Sequence, residues 1–482
     1  MLIEPQSVLA IGAIAQFVLQ IGLAIFILLR GRGTPQVRLT WLIVILAVPL
    51  LGAVLYLLVG EARLGRRRVE RHRRVCEQVE ARGLATVAVL RSDSPALGRA
   101  TRLARLAHTV SGTGTRPGNL LRLYSETDHV VDGLVEDIGR AQESCNLLFY
   151  IWLPDANGTR VAEALMAATR RGVSCRVLVD SHGARPFLKS HLCRKIRGAG
   201  VRVAAAMPAG LLRAGVQRID IRNHRKIAVI DGSVAWTGSQ NIADAAFAIK
   251  AEFAPWVDLM VRIEGPAVQD LQVLFAEDWL LEVDEPIDAI LTEPPGPVTG
   301  GVPVQVIGSG PLSHNRALVN LTQVGLLQAE REIVLTTPYF VPDETTVSAM
   351  CTAGESGVVT NLVVPARNDS PLVAAASRSY YQRLLESGVS IYEYRAGLLH
   401  AKTVTVDSAV GVVATANMDR RSYELNFEVS VVGFDHTFGS RLRAVQQSYI
   451  DESDRIELST WRRRAWQQKL GENAAGILSP LL

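Results

Sequence analysis

The sequence predicts an α/β protein of two similar domains, packed as a pseudo-dimer behind an N-terminal two-helix transmembrane hairpin. Two uncharged apolar runs open the chain. An internal repeat follows, with a period of about 180 residues, too long for a solenoid unit. Within each repeat, β-rich runs alternate with helical patterns, the signature of an α/β architecture.

The hairpin rests on length and charge. From Val8 to Leu29 the only polar side chains are Gln16 and Gln20, and no charge lies between Glu4 and Arg30. A second uncharged run extends from Leu39 to Gly60. At a rise of ~1.5 Å per residue, each run covers a hydrocarbon core of roughly 30 Å as a helix. A cleaved signal peptide fits poorly, because Met1 to Ser7 lacks the Lys or Arg of an n-region and a second span follows directly. Core helices of a globular domain are the other reading, but two adjacent all-apolar helices at the start of a chain favour the membrane.

Flanking charge gives the orientation. The connecting loop carries Arg30, Arg32 and Arg38, whereas Arg63, Arg66, Arg67, Arg68, Arg71, Arg73 and Arg74 follow the second span. The richer flank belongs in the cytoplasm, so the remainder of the chain is expected on that side of a multi-pass protein. Against anionic head groups these arginines contribute on the order of 1 kcal/mol each. The expected divisions are 1–60 for the hairpin, 61–110 for a basic juxtamembrane linker, and 111–292 and 293–482 for the two domains, the last opening on the Pro/Gly-rich stretch Glu293 to Gly301.

Composition narrows the partners. The net charge of +4 is modest and gives no footprint for nucleic acid. The five cysteines (Cys76, Cys145, Cys175, Cys193 and Cys351) show neither paired nor metal-ligand spacing, as expected of reduced thiols in the cytosol. An oligomer is compatible with the sequence.

The repeat aligns Ala141–Asp155 (AQESCNLLFYIWLPD) with Ala329–Asp343 (AEREIVLTTPYFVPD) without a gap. Each segment holds a β-rich run, Leu147–Trp152 or Ile333–Phe340, stopped by Pro-Asp. A helical pattern and a second strand follow, Cys175–Val179 or Asn361–Val364. Each half then carries one constellation. In the first it is His224-x-Lys226, Asp231, and Gly238-Ser239-x-Asn241; in the second, His400-x-Lys402, Asp407, and Ala414-Thr415-x-Asn417. Residues two apart on a strand share a face, so His and Lys project together.

Such a set suits attack on a phosphodiester. Two histidines supply a nucleophile and a proton donor for the leaving alcohol. Two lysines and two asparagines, with Ser239 and Thr415, are candidates to surround the phosphoryl oxygens where charge develops. No metal is then required, and no carboxylate cluster suggests one. Asp231 and Asp407 belong to the catalytic motif, where they read as braces. Asp258 and Glu428 stand where an acceptor could hold the second nitrogen of an imidazole. Ala414 stands where the first half has Gly238 and adds a methyl where close backbone approach or an unusual φ is wanted, which puts the contribution of Thr415 in question. His72, His108, His129, His182, His191, His314 and His436 lie outside the repeat and read as surface or packing residues. The loops Asp180–Gly183 and Arg367–Ser370 follow strands and are placed to line a site. The segment Trp461–Lys469 reads equally as a basic helix on the bilayer surface or a solvated one.

The doubled motif resembles the phospholipase D superfamily. Its bacterial cardiolipin synthases are similar along almost the whole chain, through the hairpin, Tyr150-Ile151-Trp152, Asn223-His224-Arg225-Lys226, Thr336–Asp343, Gly397–Lys402, Asn417–Glu428 and Ser479–Leu482. The resemblance implies two phospholipase D-like domains with one active site between them, in the inner membrane of a bacterium. It implies that His224 is the nucleophile and His400 the general acid, though the roles can be reversed. It also pairs Glu428 with His224 and Asp258 with His400, across the halves. The implied reaction moves a phosphatidyl group from one phosphatidylglycerol to another, releasing glycerol. Anionic membrane lipids are then the partners, and no cofactor is needed, because one phosphodiester replaces another of similar energy. A phospholipase D hydrolase, a phosphatidyltransferase using phosphatidylethanolamine, a superfamily nuclease and an inactive lipid-binding scaffold are the alternatives.

Overall fold

The computed structural model describes residues 5–29, 35–60, 63–83, 89–90, 94–208, 218–313 and 316–479. Arg30, Arg32, His314 and residues 480–482, all weighed in the sequence, lie outside them.

One 15-stranded sheet runs through both halves. In the first half the strands lie side by side in the order Arg116–Tyr124, Met260–Glu264, Val234–Gly238, Ile227–Ile230, Ser144–Phe149, Ser174–Asp180 and Arg202–Ala206. In the second the order is Val302–Ser309, Glu428–Gly433, Val410–Ala414, Thr403–Val406, Glu332–Thr336, Val359–Pro365 and Ser390–Tyr394, with Ser453–Arg455 added at the edge. Each position in one half has its counterpart in the other. The halves join where Arg116–Tyr124 pairs antiparallel with Val302–Ser309. Arg116 at this seam makes a buried two-pronged ion pair with Asp270, at 2.6 and 2.7 Å.

The strands read as continuous apolar runs because both sheet faces are covered. Leu147 and Phe149 pack into a core with Val131 and Leu165, whereas Leu148 between them packs into another with Leu271 and Phe275. The second core also takes in Leu399, Val429, Val431 and Leu442, so one hydrophobic layer backs both halves. The two Pro-Asp pairs are helix starts: Asp155 accepts from Gly158 N at 2.9 Å and Asp343 from Thr346 N at 3.0 Å. Such N-caps are worth about 1 kcal/mol each.

The stretch read as a linker is folded onto both halves. Helix α4 (Arg66–Glu80) packs on helix Val268–Glu282 through Arg68–Glu282 at 2.7 Å and Arg71 donating to the Val283 carbonyl at 2.6 Å. Helix Thr101–Ser111 packs on Ala317–Gln328 of the second half. At the other end, Trp461 is not on a bilayer-facing surface. It is buried against Tyr381, with the Arg464 guanidinium stacked on its ring.

Helix α1 (Pro5–Leu29) contains Ile11–Leu29, the one stretch among the described residues long and apolar enough to cross a membrane. The second apolar run is not one straight helix. It divides into α2 (Pro35–Ala47) and α3 (Pro49–Val59) at Val48. Proline lacks an N–H, so Pro49 cannot donate to the Ile45 carbonyl four residues before it. Gln20 of α1 donates its side-chain amide to that carbonyl instead, at 3.1 Å. Ile27, Trp41, Ile45 and Tyr56 close around the junction. The polar residue in an apolar helix thus satisfies a backbone group that hydrocarbon could not.

Gln20→Leu is expected to destabilise the α1–α2 contact by about 1 kcal/mol, the scale of interhelical hydrogen bonds in membranes. In a double-mutant cycle of detergent unfolding midpoints, Pro49→Ala should absorb most of that loss by returning an N–H to Ile45.

Candidate active site

Each His-x-Lys segment enters the site extended and is pinned to the opposite half. His224 N donates to the Phe427 carbonyl at 2.9 Å, and Phe427 N to the Arg222 carbonyl at 3.0 Å. In mirror fashion Leu398–Leu399 pairs in parallel with Trp256–Val257, and His400 N donates to the Val257 carbonyl at 2.7 Å. Glu428 and Asp258 are the next residues along. This backbone register carries each acid to the imidazole of the other half: His224 Nδ1 lies 3.0 Å from Glu428 Oε2, and His400 Nδ1 lies 2.6 Å from Asp258 Oδ1.

The two imidazoles line one cleft of about 710 Å³, with Tyr150, Trp256, Asn241 and Asn417 beside them. The Tyr150 ring is 4.8 Å from that of His224, and the Trp256 ring 4.7 Å from that of His400. Lys226 and Lys402 lie buried, donating to the carbonyls of His224 and His400 at 2.8 and 2.5 Å. Asn241 accepts from Ile151 N at 3.0 Å through its carbonyl oxygen, which leaves its NH₂ to the cleft. Asn417 and Asn426 each present a buried amide oxygen with no partner, the kind of acceptor that a bound hydroxyl would satisfy.

One expectation requires correction, and Asp231 and Asp407 keep only the bracing part of theirs. Ser239 and Thr415 do not reach the space where a phosphate would sit. Their hydroxyls donate to Asp258 Oδ1 and Glu428 Oε2 at 2.6 and 2.5 Å, and accept from Leu259 N and Val429 N, both at 2.9 Å. Fully buried behind the imidazoles, they hold the carboxylates that hold the histidines. Asp231 and Asp407 are away from the cleft altogether. Asp231 accepts from the backbone N–H groups of Gln142, Glu143 and Ser144, and Asp407 from those of Glu330, Arg331 and Glu332, all within 3.0 Å. They fasten the far end of the motif strand to the start of its neighbour.

The alanine at 414 is accommodated. Gly238 has φ +150°, and a Cβ there would meet the Leu259 carbonyl at 2.2 Å. Ala414 is absent from the positive-φ residues, so its methyl carries no strain of that kind and Thr415 still reaches Glu428.

Several contributors went unread in the sequence. Arg225, between the motif His and Lys, points the other way on the extended backbone. It donates to the Glu428 carbonyl at 3.0 Å and to Asp278 at 2.9 Å, so it positions Glu428 from behind. Strand alternation was the signal for it. Lys250, Tyr339, Arg222 and Arg421 line the cleft with no repeated counterpart to reveal them. Asp369 of the loop Arg367–Ser370 accepts from the Tyr339 hydroxyl at 2.7 Å and pairs with Lys250, bridging the halves. Asp180 of the other flagged loop accepts from His182 N, Gly183 N and Asn223 N, which ties that loop to the His224 segment. Of the seven histidines read as bland, His182 does line the cleft.

Burial dominates the protonation of the site. It holds both imidazoles down to about 4, against the pull of Glu428 and Asp258 and with the help of the lysine charges. Burial likewise brings Lys226 down to about 8 and Lys402 to about 7. Asp258 is buried too, but His400 and Lys402 hold it at about 2. With their carboxylates ionised, the neutral rings carry the proton on Nδ1 and keep Nε2 unprotonated.

The family model described as "Cardiolipin synthase, PLD-like domain" matches residues 134–279 and 325–449. Both histidine motifs fall inside those spans, one in each. The chain belongs to the cardiolipin synthase family. A second model, "Phospholipase D-nuclease N-terminal", matches residues 18–61. Among curated cardiolipin synthases, "Cardiolipin synthase A" of Edwardsiella ictaluri is 38% identical over 465 residues, covering 95% of each chain. That of Klebsiella pneumoniae subsp. pneumoniae is 37% identical over 473 residues, 96% of each. In fold the chain is similar to the phosphatidylserine synthase of Haemophilus influenzae Rd KW20, with a TM-score of 0.61 at 15% identity over 79% of this chain and 100% of that one. As a cardiolipin synthase the chain is a phosphatidyltransferase working on membrane phospholipid.

The imidazoles also set a pH signature. With folded values near 4 against an ordinary 6.5, the unfolded chain binds more protons between those limits. Their contribution is therefore complete above pH 6.5 and is lost as pH falls through 4, at about 3 kcal/mol per histidine. Asp258, held at about 2, loses its contribution only below the ordinary 3.8, so the windows separate. The thermal midpoint in detergent should fall between pH 6.5 and 4.5, and His224→Asn/His400→Asn should flatten that decline. A residual slope from His72, also lowered by burial, is expected to remain.

Proposed function

We propose that this cardiolipin synthase joins two phosphatidylglycerol molecules by double displacement at the paired histidines. His224 Nε2 attacks the phosphorus of the donor; a P–N bond forms as the P–O bond to the head-group glycerol breaks. His400, protonated once the anionic phosphodiester occupies the cleft, gives its Nε2 proton to the departing glycerol oxygen. The terminal hydroxyl of a second phosphatidylglycerol then yields its proton to His400 and attacks the phosphorus. The P–N bond breaks, leaving cardiolipin and a neutral His224.

The observation that carries this reading is the crossed pairing, each imidazole held at Nδ1 by a buried carboxylate of the other half while both rings line the same cleft. A carboxylate on Nδ1 fixes tautomer and ring orientation and stabilises the imidazolium when it forms. Lys226 and Lys402 gain their full charge when a phosphodiester arrives and stabilise it from beneath. The Asn241 amide donates to the phosphoryl oxygens, and the unpartnered oxygens of Asn417 and Asn426 accept from glycerol hydroxyls. The matching strand order of the two halves supports the pseudo-dimer, with the site on its axis. The first apolar helix and the kinked second one form the hairpin, and the arginine excess after it sets the catalytic halves on the cytoplasmic side of the inner membrane.

Purified full-length protein in phosphatidylglycerol vesicles should release glycerol and form cardiolipin; phosphatidic acid alone would make it a hydrolase. Phosphohistidine survives alkali, so an alkaline quench followed by peptide mass mapping should find the phosphatidyl group on His224. Finding it on His400 reverses the roles, and finding none on either rejects the covalent route. Glu428→Gln should retain the fold yet lower kcat on the order of 10²–10⁴-fold.

A further inference from the structure

The C-terminal helix Trp466–Ile477 carries an outward stripe that the reaction chemistry does not use. Trp466, Leu470 and Ile477 are 68%, 61% and 70% exposed. At 3.6 residues per turn they fall within about 40° of one another on the helix. The opposite side is committed. Glu472 and Ala475 are buried, Ala475 clustering with Val341 and Ala376, and a Cβ on Gly476 would meet Ser379. The helix is thus fixed on helix Pro371–Glu386 with its apolar stripe turned away from the protein.

The buried side of this helix borders the cleft. Val341 and Val373, which pack in the same cluster as Ala475, both line the cleft, as does Ile249. Ile249 is exposed, as is Leu372 beside Val373. Large apolar side chains are therefore exposed on a helix that borders the site entrance, and such patches mark interaction surfaces. Arg463 and Lys469 at its N-terminal end provide the basic flank of an interfacial helix, while Arg462 pairs with Glu386.

We propose that this face is a second membrane contact, in which the stripe seats in the acyl boundary of the bilayer and holds the cleft mouth against it. The inference rests on the lipid-transfer reading. A phospholipid whose phosphorus reaches His224 must leave its acyl chains outside a cleft of this size, and an apolar rim lets them stay in hydrocarbon. The occupant is a lipid surface rather than a second protein copy, because the helix that carries the stripe packs through Ala475 on residues lining the cleft that lipid must enter. Helix α1 keeps the chain on the membrane; the stripe sets how the cleft meets it.

The test uses the full chain in proteoliposomes of phosphatidylglycerol and phosphatidylcholine. An environment-sensitive fluorophore on Leu470→Cys, in a Cys76→Ser background, should emit blue-shifted light and be quenched by doxyl-labelled lipid. The same label on Glu355→Cys, at the end of helix Glu344–Glu355 remote from the cleft, should do neither. Trp466→Glu/Leu470→Glu/Ile477→Glu should lower turnover on vesicles tenfold or more while sparing turnover of a water-dispersed short-chain phosphatidylglycerol. An unquenched label at 470, or unchanged vesicle turnover in the triple variant, overturns the proposal. So does a protein dimer in detergent that the triple variant abolishes. Loss of short-chain turnover as well would indict the fold, and the labelling result then decides. Absence of cardiolipin from wild-type protein on both substrates would instead refute the reaction assigned to the site.

Discussion

Everything at the candidate site depends on two crossed hydrogen bonds, Glu428 with His224 and Asp258 with His400. Neither half holds its own imidazole. The acid follows directly on the residue whose carbonyl accepts from the histidine backbone, so one short stretch of extended pairing fixes main chain and side chain together. Removing a histidine leaves a buried carboxylate short of a hydrogen-bond donor, at a cost of about 1–3 kcal/mol or more. The crossing therefore makes docking of the halves and assembly of the site a single event. The shared sheet, the common core behind the cleft and the Arg116–Asp270 pair at the seam all serve to keep that docking rigid.

Burial is what makes these histidines useful. An exposed imidazole would be partly protonated near neutrality, and its lone pair partly lost. Enclosed by Tyr150, Trp256 and the lysines, both rings rest neutral until an anionic phosphodiester enters. In the proposed reaction the substrate itself supplies the negative charge that lets one ring take up a proton while the other attacks.

Much of this was legible in the sequence, and the exceptions have physical causes. The shared cleft came with the family resemblance. The repeat announced the α/β class of both halves and the pairing of His224 with Lys226 and of His400 with Lys402, because alternation along a strand is a local property. The direction of a hydroxyl is not. Ser239 and Thr415 sit where a phosphate ligand was expected, but their orientation is set by acids 19 and 13 residues away. Asp231 and Asp407 likewise depend on loop N–H groups distant in sequence. The second apolar run showed its length in composition but not its bend, which needed Pro49 and Gln20 to be seen together. Lys250, Tyr339 and Arg421 escaped notice because they belong to what the halves do not share.

That unshared part has its own meaning. On the His224 side the cleft wall carries Arg222 and Arg421, the latter paired with Asp220, while on the His400 side Lys250 pairs with Asp369. A twofold pair of identical chains would have been bound to present the same wall twice. Two halves of one polypeptide leave each wall free to differ, so in the proposed reaction a symmetric machinery can greet its first and second lipid differently.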